Sequence, residues 1–326
     1  KTMKKLSYIT AIIILFSLSG CNTGSSDYNA PSDHPYLLVS NQGIEDIRSE
    51  ITMPGIMQFS VEKAKAEVAE YLSDGMDVPV PKDPGGGYTH EKHKQNYKFM
   101  LNASLLYHIY NDEEYAAPVK QMLLDYAAMY NDLPDHPAKK NQAPGKLFWQ
   151  SLNECVWLVY TAQAYDLMYD YLTDEERENI ETNLLKPVSD FLIASYSFDR
   201  IHNHGLWAAS GVGLAAMAMG DSVRLQQALY GSVPKKNTGF LAKLDWLYSP
   251  DGYYTEGPYY HRYSLMPVVV FAEALHKNYP EKKIFAYRDS IIPKAIEKIL
   301  YLTDDHGNFF IVNDGLKHKS FKTEEL

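Results

Sequence analysis

A dense polar segment covers residues 199–205, with the sequence DRIHNHG, and precedes a nearly uncharged stretch rich in Ala, Gly and Met. The uncharged stretch, residues 206–219, predicts a central, tightly packed helix. Its N-terminus would offer backbone N–H groups and a dipole that favour anions. Asn203 and the histidines His202 and His204 can bind or polarise a carboxylate there. The structural alternative makes Asn203 an N-cap and satisfies both histidines by local hydrogen bonds.

A second polar segment covers residues 251–263, with the sequence DGYYTEGPYYHRY. Gly257 and Pro258 predict a loop ahead of a helix, and that loop would present Tyr260. Tyrosine is a general acid or base when its pKa is lowered or its proton is shared with a partner. The positive charge of Arg262 can lower the pKa of a neighbouring tyrosine in this way. The alternative is an aromatic patch that covers a neighbouring helix.

Other chemistry-bearing patterns are weaker. Lys146 belongs to a basic loop ahead of Gln150 that suits an acidic sugar, although a solvated face explains it equally well. The histidines of the segment 90–93 do not have zinc-protease spacing, and phosphate-binding, nucleophile-elbow and EF-hand motifs are absent from the sequence. Cys155 lies in an apolar run and is expected to be a buried small hydrophobe. The sequence therefore predicts neither a cofactor nor a metal in this chain.

Composition narrows the class of protein. The chain has 326 residues, and 31 Lys and Arg against 41 Asp and Glu give a formal charge of −10. This excess of acidic residues argues against non-specific nucleic-acid binding, which needs a positively charged surface. The 26 Tyr are unusual, because tyrosine is common in carbohydrate clefts although it also simply packs.

Helical patterns cover most of the chain after residue 57. Thr173 followed by Glu176 is a capping box, and the segment 308–315 is typical of a strand and turn. The fold class expected is all-α, a layered ring or bundle with the start of a β segment at the C-terminus. Helices are predicted at 58–72, 93–110, 115–130, 147–171, 174–196, 206–219, 222–230, 239–248, 264–279 and 284–302.

The N-terminal residues are typical of a bacterial lipoprotein. A positive start and a short apolar run lead to the sequence LSGC at 18–21, which resembles a lipobox. Residues 1–20 are predicted to be the signal peptide, Cys21 the lipidated residue, and 21–34 a flexible tether. The alternative, a membrane-spanning anchor, requires a longer apolar stretch. The expected location is the periplasm, the outer membrane or the cell surface, with membrane contact only through the lipid.

Six motifs in sequence order carry a family resemblance: HPYL at 34–37, DVPVPKD at 77–83, GYTHE at 87–91, GKLFWQSLN at 145–153, HNH at 202–204 and EGPYY at 256–260. Through them the chain resembles the alginate lyase superfamily, and most closely the exo-acting oligoalginate lyases of polysaccharide lyase family seventeen. The resemblance implies an incomplete (α/α) toroid over residues 35–305. It also implies a heparinase II/III-like β-sandwich, of which 306–326 would be the truncated start, and any metal site would belong to that missing part.

The activity implied is cleavage of alginate or oligoalginate by β-elimination, impaired if the sandwich is lost. The resemblance assigns carboxylate neutralisation to Asn203, proton donation to the leaving oxygen to Tyr260, and the role of candidate base to His204. A second tyrosine from the sandwich would also take part. These three residues are expected to converge on one cleft. Expected sugar contacts are Lys146, Gln150, Tyr259 and Arg262.

Three alternatives stay open at this point. One is a non-catalytic lipoprotein that binds uronate polysaccharides, and another is a lyase of a different acidic glycan of the heparinase II/III type. The third is a glycoside hydrolase, which needs two facing carboxylates. Asp251 and Glu256 are the candidates for such a pair.

Overall fold

The computed structural model describes residues 28–139, 143–233 and 236–321. The predicted signal peptide and the lipidation site Cys21 lie outside these residues, as does the first half of the predicted tether. Twelve α-helices fill the described part of the chain: α1 (Asn41–Glu50), α2 (Ile56–Ser73), α3 (Tyr88–Tyr110), α4 (Glu113–Tyr130), α5 (Ser151–Met168), α6 (Asp174–Ile180), α7 (Lys186–Ala194), α8 (Asn203–Ala218), α9 (Ser222–Tyr230), α10 (Phe240–Leu247), α11 (Pro258–Asn278) and α12 (Tyr287–Lys298).

Most helices lie where their periodicity predicts them, with shifted ends. The capping box at Thr173 and Glu176 opens α6, and a π turn joins α6 to α7 in one continuous helical rod. Helix α1 was not predicted from the sequence. Helix α11 begins at Pro258, six residues before the predicted start, because proline suits the first turn of a helix. The structure thus corrects the predicted loop: Tyr260 lies on a helix.

Helix α8 is the centre of the fold. Every one of its residues except His204 is buried, which confirms the predicted central helix. It packs against α5, α7, α9, α10 and α11. Gly213 allows the close approach of α11, since a Cβ at this position would lie 2.2 Å from Cζ of Phe271. Cys155 on α5 is buried as expected.

The C-terminal segment pairs only through isolated β-bridges. Phe309 bridges Thr303, and Asn308 bridges Ser320, without a longer ladder in the described residues. The strand predicted over 308–315 is therefore reduced to these bridges, and the fold class is all-α. Among residues 28–139, 143–233 and 236–321, no helix has the length and hydropathy that crossing a membrane requires.

The N-terminal segment of the described chain is tied to the core by Asp166 of α5. This buried carboxylate accepts hydrogen bonds from the backbone N–H groups of Tyr36, at 3.0 Å, and Leu37, at 2.9 Å. It also lies 2.7 Å from Nδ1 of His34. The HPYL motif at 34–37 thus anchors the N-terminal segment to α5.

Candidate functional site

A cleft of about 410 Å³ opens where the N-termini of α8 and α11 meet the C-terminal segment. Its volume falls in the range of small-ligand sites. Both polar segments singled out in the sequence contribute to it, although the residues they contribute are more than fifty positions apart in the chain. Its lining residues are Gln150, Leu152, His202, Asn203, His204, Glu256, Tyr259, Tyr260, Tyr263 and Asp314.

The N-cap of α8 is His202, so the structural alternative for Asn203 is wrong. The ring Nδ1 of His202 accepts a hydrogen bond from the backbone N–H of His204 at 3.3 Å. The side chain of Asn203 is therefore released from capping. It is directed instead to a partner on the far side of the cleft.

That partner is Glu256, in the turn before α11. Nδ2 of Asn203 donates to Oε2 of Glu256 at 2.5 Å, and Nε2 of His202 lies 2.9 Å from Oε1. Burial alone would raise the pKa of the Glu256 carboxyl, but hydrogen bonds from His202 and Asn203 outweigh it and hold that pKa below its usual range. Glu256 is consequently an ionised carboxylate at neutral pH.

His204 is the titratable group best suited to accept a proton. Burial lowers the pKa of His204 to about 4. Its imidazole makes no hydrogen bond to any described residue, and its ring lies edge-on to that of His202 with centroids 4.9 Å apart. The ring is therefore neutral at pH 7, with one nitrogen lone pair available.

Tyr260 lines the same cleft as His204, from the first turn of α11. The turn is fixed by Gly257, whose φ of +99° favours glycine and whose Cβ, if present, would lie 2.4 Å from the backbone O of Val312. Burial, then the neighbouring Tyr259 and Glu256, raises the pKa of Tyr260. Its hydroxyl is thus protonated at neutral pH and can donate.

Two of the four expected sugar-binding residues line the cleft and two do not. Gln150 and Tyr259 are in the lining. Lys146 directs its ammonium to the Tyr130 ring, 5.1 Å from the centroid. Arg262 is buried, with its guanidinium carbon 5.0 Å from the centroid of the Tyr259 ring.

Sequence reasoning missed several lining residues. Tyr263 and Asp314 were not assigned a role, and Glu256 was considered only for a hydrolase. The signal for Glu256 was available in the motif EGPYY, which has an acidic residue just before a helix start. Asp314 gave no such signal, because its place beside the cleft depends on a backbone hydrogen bond of 3.2 Å from its N–H to the backbone O of Glu256.

The proposed hydrolase pair is not present in this geometry. Asp251 lines a separate hollow and pairs with Lys298 at 2.9 Å. Hydrogen bonding from Ser249, then from Lys298, lowers the pKa of Asp251 to about 2. Glu256 is ionised with both oxygens occupied, whereas a glycosidase acid must carry a proton.

In the described residues, His, Cys, Asp and Glu nowhere form a group of three or more that would hold an ion. His93, from the His-rich segment 90–93, instead makes a 2.8 Å hydrogen bond between its Nδ1 and the hydroxyl of Tyr126.

Comparisons with known proteins agree on one family. The alginate lyase family profile matches residues 56–309. The chain is 45% identical over 295 residues to an exo-oligoalginate lyase of Saccharophagus degradans, covering 90% of this chain and 40% of that protein. It is 43% identical over 271 residues to an alginate lyase of Stenotrophomonas maltophilia, covering 82% of this chain and 36% of the relative. The chain thus spans about 40% of the length of these curated relatives.

Solved structures show the same fold. Alginate lyase A1-III of Sphingomonas species A1 superposes with a TM-score of 0.58 at 14% identity, covering 82% of this chain and 81% of that one. A Tyr-to-Phe variant of alginate lyase A1-III, complexed with a tetrasaccharide, gives a TM-score of 0.51 at 16% identity, covering 73% and 75%. This likeness confirms the predicted helical toroid.

Proposed function

The chain belongs to the alginate lyase family, and from this premise we propose that its α8–α11 cleft is where 1,4-linked uronates of alginate or oligoalginate are cleaved by β-elimination. The observation that carries the proposal is the meeting of Asn203, His204 and Tyr260 on one cleft. A neutral imidazole and a protonated phenol are the two proton-transfer groups that such an elimination needs.

The first chemical demand is stabilisation of negative charge. Removing the weakly acidic C5 proton spreads charge onto the C6 carboxylate, and donors aimed at that group lower the barrier. An amide nitrogen carries two N–H groups. Asn203 gives one to Glu256 and keeps the other for the substrate carboxylate.

The second demand is a base and an acid. His204 is the base, because its ring is neutral at pH 7. A bound uronate carboxylate would raise the low pKa of His204 and so strengthen it as a base. Tyr260 is the acid, since its raised pKa keeps the hydroxyl protonated until the C4 oxygen departs.

The test is Tyr260→Phe, with Tyr263→Phe as a matched control from the same cleft. Turnover, followed by ultraviolet absorbance of the unsaturated uronyl product, should fall about a hundredfold or more in the first variant. Calorimetric binding of oligoalginate should persist, because only a hydroxyl is removed. Normal turnover in Tyr260→Phe would remove its proposed role as the acid.

Binding and product assays on the wild-type chain distinguish this proposal from its alternatives. Binding of oligoalginate without any unsaturated product would favour a non-catalytic uronate-binding protein. Product released from heparin-like glycans but not from alginate would favour a lyase of another acidic polysaccharide. Neither outcome would alter the family or the fold.

Asn203→Ala probes the stabilisation of charge separately from proton transfer. Loss of one donor of this kind costs about 2–4 kcal/mol of transition-state stabilisation. The expected signature is a lower kcat with little change in KM, because the donor matters most when charge develops.

We also propose that the protein is a lipoprotein of the periplasm, outer membrane or cell surface, anchored through Cys21. The support is the LSGC sequence at 18–21 after a short apolar run. Cys21→Ser should abolish incorporation of labelled palmitate and leave an uncleaved precursor. Unchanged membrane fractionation of that variant would count against the anchor.

A further inference from the structure

The central helix α8 begins on an unusual cap. Ser, Thr, Asp and Asn are the common N-caps, but here Nδ1 of His202 accepts from the backbone N–H of His204. A ring nitrogen accepts a hydrogen bond only when it carries no proton. The cap therefore requires the neutral tautomer of His202 with its proton on Nε2.

A neighbouring carboxylate favours that tautomer. Nε2 of His202 lies 2.9 Å from Oε1 of Glu256, and an ionised carboxylate can only accept. The proton is therefore drawn to Nε2, and Nδ1 is left bare to cap the helix. A proton on Nδ1 would instead face the N–H of His204, with two donors opposed.

The second carboxylate oxygen of Glu256 orients the side-chain amide of Asn203. Oε2 of Glu256 accepts from Nδ2 of Asn203 at 2.5 Å. This contact decides which end of the amide faces Glu256. Oδ1 of Asn203 is consequently turned into a buried position where it has no hydrogen-bond partner among the described residues.

Glu256 is itself held from a third element. Its backbone O accepts from the N–H of Asp314, and the adjacent Thr255 O accepts from Nδ2 of Asn313 at 2.9 Å. Gly257 lies against Val312, so the turn has no room for a larger residue. The carboxylate is thus fixed between the C-terminal segment and the start of α8.

We propose that Glu256 is a positioning residue, which selects the Nε2–H tautomer of His202 and the amide orientation of Asn203 and so sets the first turn of α8. The parts of this proposal that concern the His202 tautomer and the Asn203 amide orientation do not depend on the proposed function. The expected effect on turnover rests on that function.

The decisive measurement is the pair of ring ¹⁵N chemical shifts of His202 in the folded, ¹⁵N-histidine-labelled chain at pH 7, assigned with His202→Gln. The wild type should show a protonated Nε2 and an unprotonated Nδ1. A protonated Nδ1 in the wild type would overturn the proposal, whatever the Glu256 variants show.

Glu256→Gln tests the cause. A glutamine offers one acceptor oxygen and one donor NH₂, so it cannot serve both His202 and Asn203. The expected result is a shift of His202 toward the Nδ1–H tautomer or an exchanging mixture. Glu256→Asp keeps an acceptor-only group and should retain more of the wild-type signal.

Asp251→Asn is the matched control, since it removes one carboxylate charge from the same segment without touching the cleft. Its His202 spectrum should equal that of the wild type. An unchanged spectrum in a folded Glu256→Gln would overturn the positioning role, as would an equal shift in Asp251→Asn.

Kinetics then separate this inference from the function. In an active chain, Glu256→Gln should lower kcat by about a hundredfold with KM little changed, because a misplaced group costs turnover more than binding. A tautomer shift in a chain that never releases unsaturated product would leave the positioning role intact and refute the lyase function alone.

Discussion

Gly213→Ala tests the contact that brings the two halves of the cleft together. The added Cβ would lie 2.2 Å from Cζ and 2.4 Å from Cε2 of the Phe271 ring. Carbon atoms in contact prefer about 3.5–4.0 Å, so the ring or the helix must move by more than an ångström. Phe271 is fully buried and packs against Phe240 with ring centroids 4.9 Å apart.

The expected magnitude follows from two opposing effects. Overpacking a close-packed core costs about 1–3 kcal/mol, with about 0.5–1.5 kcal/mol more if the aromatic pair is lost. Alanine gains about 1 kcal/mol over glycine in a helix. The free energy of unfolding should therefore fall by about 0.5–3.5 kcal/mol if the aromatic pair is lost, and by up to about 2 kcal/mol if it survives.

Gly43→Ala provides the matched control in α1. Its Cβ would meet nothing closer than 3.7 Å, from Oγ of Ser40. Only the propensity gain remains, so this variant should become more stable by up to about 1 kcal/mol. Urea unfolding followed by far-ultraviolet circular dichroism measures both, and an unchanged m-value shows that stability alone has changed.

A double-mutant cycle identifies the contact. Leucine lacks the ring atoms that meet the new Cβ, so Phe271→Leu should relieve the clash of Gly213→Ala. The double variant should be less destabilised than the sum of the singles by about 1 kcal/mol or more. Additivity within about 0.5 kcal/mol, or stabilisation by Gly213→Ala alone, would refute the close approach of α8 and α11.

Two further predictions concern buried polar groups. Burial lowers the pKa of His93 to about 4, so the stability that its neutral form contributes is present above its unfolded pKa of about 6.5 and is lost as pH falls toward 4. His93→Gln should reduce the fall in the free energy of unfolding across that window by up to about 3 kcal/mol, as measured by urea titration at each pH. An equally steep fall in the variant would contradict this. Asp166→Asn should cost about 2 kcal/mol, because the bonds from Tyr36 and Leu37 to Oδ2 lose their charge assistance and an NH₂ group replaces the acceptor Oδ1 opposite His34. Faster proteolysis of Asp166→Asn near residue 36 would show that the N-terminal segment has loosened. If the variant resists proteolysis as well as the wild type and its urea midpoint is unchanged, Asp166 is not the anchor.

Much of the helical framework was predictable, because its signals are local. The periodicity of residues 58–72 and 222–230 placed α2 and α9 to within two residues at each end. Thr173 and Glu176 marked the start of α6 by a capping box. Helix α11 was predicted six residues short, because Gly257 and Pro258 also favour a turn. The strand expected at 308–315 did not form, since the described residues give it only single-residue partners.

Part of the candidate site was also predictable. Asn203, His204 and Tyr260 were singled out from two polar segments, and the structure places all three on one cleft. Their catalytic roles stay predictions. Lys146 is not among the residues that line this cleft, and a sequence does not show that its ammonium is directed to Tyr130.

The sequence by itself determined most of the helical framework and the two segments that concentrate polar side chains. These properties depend on neighbours within one or two turns, where propensity, capping and periodicity act. Only the tertiary structure decided that Glu256 holds both His202 and Asn203, and that Asp314 joins them from the C-terminal segment. Those contacts span more than fifty residues, and they exist because helix packing around α8 aligns two helix N-termini at one point in space.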